Sequence, residues 1–253
     1  MKTIKRIMTA TLLAIVAIST SSCYIRISNE AKEEMKQRLS FRKEMSEAVY
    51  DKSDPRIIHP GEFTGIENNS WLDLNIVQRE GEPEVVIHGI YRTRDSVLVE
   101  NINGILKVSF ANHVGFMINY SDIDLVIYTP ALSTLKNRGS GDIDVEGIFQ
   151  SDSLTIENRG SGDIEASVQA GSIGITNIGS GDIDLDVNTS GSIVLSSSGS
   201  GDIEIKGEVS DAVITKAGSG DIEAAKLQAD RITVSKSGSG DVVYRKDGKL
   251  IEE

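Results

Sequence analysis

Six copies of Gly-Ser-Gly-Asp begin at Gly139, Gly160, Gly179, Gly199, Gly218 and Gly238, so Asp142, Asp163, Asp182, Asp202, Asp221 and Asp241 recur at intervals of 21, 19, 20, 19 and 20 residues. Two residues after each Asp stand Asp144, Glu165, Asp184, Glu204 and Glu223, and Val243 ends the series. Carboxylates in such number could hold divalent cations, which take clustered carboxylate and carbonyl oxygens. They could equally accept backbone N–H groups and cap turns. As acid–base machinery they are poorly suited. A glycosidase pair needs two carboxyls in different environments so that one stays protonated, and a repeat supplies many equivalent ones. His59, His88 and His113 lie outside the repeats, at spacings that match no zinc motif. Catalytic residues, resident metal and cofactor are therefore all expected to be none.

The residues around the carboxylates say what holds them. One position after each motif Asp come Ile143, Ile164, Ile183, Ile203, Ile222 and Val242; three after come Val145, Ala166, Leu185, Ile205, Ala224 and Tyr244. A second apolar pair precedes each later motif, from Leu154 and Ile156 to Ile232 and Val234. Every 20 residues or so thus supply two short strands with period-two faces. One such unit buries too little to enclose a core, but stacked copies bury one another. The expected class is all-β, a parallel β-solenoid or β-helix of about 20-residue coils. The competing arrangement is an antiparallel sandwich or barrel of hairpins, which regular strand spacing also permits. Six stacked motifs would span roughly 24 Å at the strand spacing, and the glycines are expected to supply positive φ at tight corners.

Stacking turns the acids into two columns, because residues i and i+2 of a strand share a face. Two like charges about 4.8 Å apart repel by roughly 0.9 kcal/mol in water. Solvation, local hydrogen bonds or weakly bound cations such as calcium could relieve this, with turn capping the expected structural role. Arg138, Arg159, Lys216 and Lys236 stand near enough in sequence to neutralise part of the field.

The rest of the chain reads as follows. Residues 1–22 carry Lys2, Lys5 and Arg6, an apolar run from Ile7 to Ile18, and small polar residues, the pattern of a signal peptide. The apolar run is too short for a membrane-spanning helix, which needs about 20 residues. Cys23, the only cysteine, follows Thr20-Ser21-Ser22, and the site resembles a bacterial lipoprotein signal, which implies lipidation at Cys23. Residues 23–60 are expected to be lipid attachment and spacer, with a helix over 29–50 that lacks Gly and Pro and carries a narrow apolar stripe. Residues 61–135 form an N-terminal β region, and 136–253 the repeats with a charged C-terminal cap around Asp247-Gly248. The formal charge of −12 becomes −15 once the three signal cations are lost, which argues against nucleic acid and anionic membrane surfaces as partners.

The repeated Gly-Ser-Gly-Asp-Ile, preceded by an all-β stretch ending in Thr129-Pro130-Ala131-Leu132, resembles the bacterial family called putative auto-transporter adhesin, head GIN domain, from about Glu62 to Tyr244. That resemblance implies a secreted or lipid-anchored β-helical protein of the cell envelope, and the role expected with it is that of a scaffold or adhesin-like binding module. Attachment to the outer membrane, on its periplasmic or surface side, would be through lipid; residues 24–28 lack an acidic surface-display run. The ligand would be an envelope or extracellular glycan or protein. The alternative is a carbohydrate-active β-helix enzyme of the polysaccharide lyase or pectinase kind. Aromatic and imidazole groups that break the monotony, Trp71, His88, Tyr91, Phe110, His113, Phe116 and Tyr120, are where a binding site would be sought, although most are expected in the core.

Overall fold

The computed structural model describes residues 54–89, 91–111, 123–189 and 191–253. They belong to one compact unit, Val49–Glu253. The signal segment, Cys23, the helix expected over 29–50, and His113, Phe116 and Tyr120 lie outside the described residues.

Sixteen strands among the described residues wind into a parallel β-solenoid with two faces. The first face stacks β1 (Arg56–Ile58), β4 (Glu84–His88), β7 (Asp124–Thr129) and β3 (Leu74–Gln78). It continues with the leading halves of β9 (Ile143–Asn158) and β10 (Ile164–Asn177), β11 (Ile183–Asn188), and the leading halves of β13 (Ile203–Lys216) and β14 (Ile222–Lys236). β15 (Val242–Lys246) and β16 (Lys249–Glu252) end it. The second face stacks β5 (Val97–Ile102), β6 (Ile105–Phe110), β2 (Gly65–Asn68) and β8 (Thr134–Asn137). The trailing halves of β9 and β10, β12 (Ser192–Ser197), and the trailing halves of β13 and β14 complete it. A single helical turn, α1 (Tyr91–Arg94), separates β4 from β5.

The repeats pair in parallel and in register. Ile183 lies against Ile164 on one side and Ile203 on the other, and Ile193 lies between Ile173 and Ala212. The antiparallel hairpin alternative is thereby excluded for the repeats; antiparallel pairs occur only at the ends, as β1–β4–β7, β5–β6 and β15–β16. The inward columns are closed to water: Ile143, Ile164, Ile183, Ile203, Ile222 and Val242 are each at most 1% exposed. Burying one such side chain contributes about 1.5–3 kcal/mol, which is why the repeats specify their own register. Tyr244 closes its column from inside the last coil, its hydroxyl donating to Glu253 Oε1 at 2.7 Å.

The order of layers departs from the order of the chain. The coil formed by β2 and β3 is the earliest in sequence, yet it sits between the layer of β6 and β7 and the layer of β8 and β9. Its corner, Asn68-Asn69-Ser70-Trp71-Leu72-Asp73-Leu74, has the place of Asn137-Arg138-Gly139-Ser140-Gly141-Asp142-Ile143. It is a seventh corner whose glycines have been replaced, which a search for Gly-Ser-Gly-Asp passes over.

Candidate functional site

Each coil turns twice, at the motif corner leading into the first face and at a far corner leading back to the second. At the motif corner each Asp accepts the backbone N–H of the next Asp in the stack. Asp163 N donates to Asp142 Oδ1 at 2.8 Å, and Asp182, Asp202, Asp221 and Asp241 repeat this at 2.7 Å. The row starts below the repeats, where Asp142 N donates to Asp73 Oδ1 at 3.0 Å. The six motif Asp side chains are themselves exposed.

A second row runs inside the same corner. Asn137 and Asn158 are fully buried, and each amide spans two coils. Asn137 Nδ2 donates to Gly141 O at 2.9 Å and Gly162 O at 3.2 Å, and Asn158 does the same to Gly162 and Gly181. Asn177 continues it. At the next level Ser197 is too short and its hydroxyl finds no partner among the described residues. Lys216 then fills the position, fully buried, its Nζ donating to Gly218 O at 2.9 Å.

The motif glycines do not serve the purpose expected of them. Among them only Gly238 has positive φ in the left-handed region. Glycine is required because the coils touch there: a Cβ on Gly160 would lie 1.9 Å from Gly139 O, and one on Gly162 2.1 Å from Gly141 O. Close approach of backbone, rather than an unusual turn, fixes the residue type.

The second acidic column is in register from Asp144 through Glu165, Asp184 and Glu204 to Glu223, bounded by Asn75 and Val243. The cations that reach it differ from those anticipated. Lys206 lies 3.5 Å from Asp184 and Lys226 2.8 Å from Glu204. Hydrogen bonding to Lys226 holds the Glu204 carboxyl below its usual range. Arg138 and Arg159 instead join Glu157 on the second face, where the hydrogen bond from Arg159, and then the charges of Arg159, Arg138 and Lys136, lower the Glu157 pKa. Of the four cations anticipated, Lys236 alone reaches a ladder carboxylate, Asp241 at 3.3 Å. The lower end of the column keeps its repulsion. Burial first, then the charges of Glu165, Asp142, Asp73 and Glu146, push the Asp144 carboxyl upward. Among the described residues no group of three or more acidic, histidine or cysteine side chains is placed to hold a metal ion.

Of the other residues singled out in sequence, Trp71 and Phe110 meet with ring centroids 5.1 Å apart at 56°. Trp71 takes the place that Ser140 has one coil on. His88 lies in β4, half-buried, opposite Asp124, and His59 is exposed. Trp71 and Phe110 line one hollow of about 500 Å³ together with Arg138 and Arg159, and neither His88 nor His59 lines it.

Two larger hollows lie at the far corner. A groove of about 900 Å³ is lined by Gln78, Gln150, Gln169 and Asn188 along one wall and by Ser153 and Gly171 along the other. Its floor is of small side chains, Ser151, Ala170 and Thr189, and small residues at the turn are what make the surface hollow. A second groove of about 960 Å³ shares Asn188 and Thr189 and continues past Glu208 and Gln228. The amides form one row, with Gln150 paired to Gln169, Gln169 to Asn188, and onward to Glu208 and Gln228. Gln78 anchors its lower end: it donates to Pro130 O at 3.1 Å and Gln150 O at 3.0 Å and accepts from Gln150 N at 2.8 Å. The sequence carried a signal for this row, since Gln169, Asn188 and Glu208 each stand six residues after a motif Asp.

The sequence model of the family described as putative auto-transporter adhesin, head GIN domain, matches residues 62–192 and 175–250. No curated protein matches the chain. Among solved structures, a "putative adhesin" from Parabacteroides distasonis superimposes with a TM-score of 0.66 at 20% identity, over 74% of this chain and 79% of that one. A "putative lipid binding protein" from the same organism gives 0.64 at 22% identity, over 76% and 96%. A "putative adhesin" from Bacteroides fragilis gives 0.61 at 20%, over 76% and 97%. At these identities the likeness is one of fold.

Proposed function

The chain belongs to the putative auto-transporter adhesin, head GIN domain family, and from that premise we propose that it is a non-catalytic, adhesin-like binding module of the bacterial cell envelope. The open polar groove along the far corner carries this reading. It is open, it follows the stacking direction, and its lower part is lined mostly by amides, hydroxyls and small residues, with Asp152 the one charged side chain. That is a surface for holding an extended ligand. The solved structures named for adhesion support the same reading.

The test is retention of the purified protein, displayed on beads, on immobilised mucin, matrix proteins and polysaccharides, with mass spectrometry of the released material. Retention without products supports a binding module. Product formation would replace it with the carbohydrate-active enzyme, and no retention on any surface would remove the binding role.

The same reading includes a lipid tether at Cys23 that places the module at the membrane. Cys23→Ala is expected to abolish incorporation of labelled palmitate and to move the protein from the membrane to the soluble fraction. An unchanged distribution would discard the tether.

A further inference from the structure

We propose that the row Gln150, Gln169 and Asn188, closed at its lower end by the internally bonded Gln78, is a binding track for an uncharged, hydroxyl-rich chain, a neutral glycan lying along the solenoid axis; this rests on the reading of the protein as a binding module and names its ligand class. Three observations point there. The first is chemical: a primary amide both donates and accepts, and so does a hydroxyl, so a row of amides suits a polyol. Carboxylates or ammonium groups would instead select charge.

The second is the state of the row. Among the described residues the side-chain amides of Gln150, Gln169 and Asn188 are exposed and bond no other protein group, whereas the buried asparagines of the motif corner are nearly all paired within the fold. Gln78 shows what such an amide does when offered a partner, gripping the donor and acceptor of one extended residue at once.

The third is the distribution of charge. Asp152 is the one charged residue lining the lower groove, in a protein of formal charge −12. An anionic polymer is repelled by the neighbouring acid columns. An extended peptide would seek apolar pockets for alternate side chains, and the lower groove offers only Pro130, Ala131, Leu132 and Ala170 against its polar lining.

The test is affinity electrophoresis of the full chain through gels holding dextran, laminarin or mannan, beside polygalacturonate and a Gly-Ser-rich polypeptide. The variants are Gln150→Ala, Gln169→Ala and Asn188→Asp, with Asp184→Asn on the outer acid column as control. Retardation by a neutral glycan that falls at least tenfold in the three groove variants, with melting temperatures and the control unchanged, is the expected result. Retardation equal in all variants would overturn the track and leave the binding module standing. Retardation by polygalacturonate or polypeptide alone would overturn the ligand class. Absence of retardation in every gel, beside retention on mucin or matrix protein in the bead assay, would overturn the glycan alone; absence in both would take the binding module with it.

Discussion

At the scale of single residues, the motif Asp at the corner and the column acid two positions later on the strand have opposite relations to the fold although both are carboxylates. The motif Asp is an acceptor for the coil above. Asp182→Ala would strand the Asp202 N–H, now 2.7 Å from Asp182 Oδ1, and is expected to cost about 0.5–1.5 kcal/mol by urea denaturation. Asp182→Asn keeps an acceptor oxygen and should cost much less. Equal losses would show that charge, not the hydrogen bond, matters there. Asp144 is the reverse case, a carboxyl held above its ordinary value by burial and like charge. Its folded state binds the proton more tightly than the unfolded chain does, so stability falls as pH rises from the ordinary Asp value near about 3.9. Asp144→Asn should therefore raise the melting temperature at pH 7 and leave it unchanged in acid below that range; a gain at both pH values would sink the electrostatic account. Glu157, with its pKa lowered by Arg159, Arg138 and Lys136, contributes stability at neutral pH that is lost as pH falls.

At the scale of the coil, sequence and structure agree where a residue's role repeats and part where it does not. The columns of Ile143 and Val145 and their counterparts were legible because burial by stacked copies demands the same residue at the same phase. The inner row of Asn137, Asn158 and Asn177 is equally periodic, yet it decays to Ser197 and Lys216, so its residue type does not persist through the repeats. Asp73 was hidden because its corner tolerates Ser70 and Leu72 where later corners need glycine. The reason is the layer beneath: Gly139 and Gly141 approach the backbone of Ser70 and Leu72, so the crowding falls on the upper partner. This predicts a contrast between two glycines. Gly181→Ala would put a Cβ 2.0 Å from Gly162 O and should cost at least the roughly 1–3 kcal/mol of an overpacked core. Gly174→Ala meets nothing closer than Thr155 Oγ1 at 3.8 Å, and its melting temperature should stay near the wild type. Loss of comparable stability in both would refute close stacking as the reason for the motif glycines.

At the scale of the molecule, the acid columns run along the motif corner and the first face, while the outer positions of the second face over the upper coils include Thr176, Ser196 and Thr215 beside the exposed Val194 and Val213. Like charges in register are a standing cost that mobile ions reduce, the screening length falling from about 30 Å at 0.01 M to about 3 Å at 1 M salt. The melting temperature should rise between those concentrations, and Lys226→Ala, which unpairs Glu204, should steepen the rise. A melting temperature that falls with salt would mean that the ion pairs outweigh the repulsion. The far-corner groove belongs to this scale too. It could not be read from any one segment, since Gln78 meets Gln150 across 72 residues of chain.

The misplaced first coil bears on how the protein is made. Adjacent repeats close loops of about 20 residues, while the contact of Asp73 with Asp142 closes one of 69. The longer closure costs about 1 kcal/mol more in chain entropy. As the polypeptide emerges from the ribosome or an export channel, β2 and β3 come out before both of the layers between which they fit, and the second of these is lacking until β8 and β9 have followed. Assembly should then begin among the repeats and run backward, with the earliest-synthesised coil slotting in late as a wedge that locks the amino-terminal layers together.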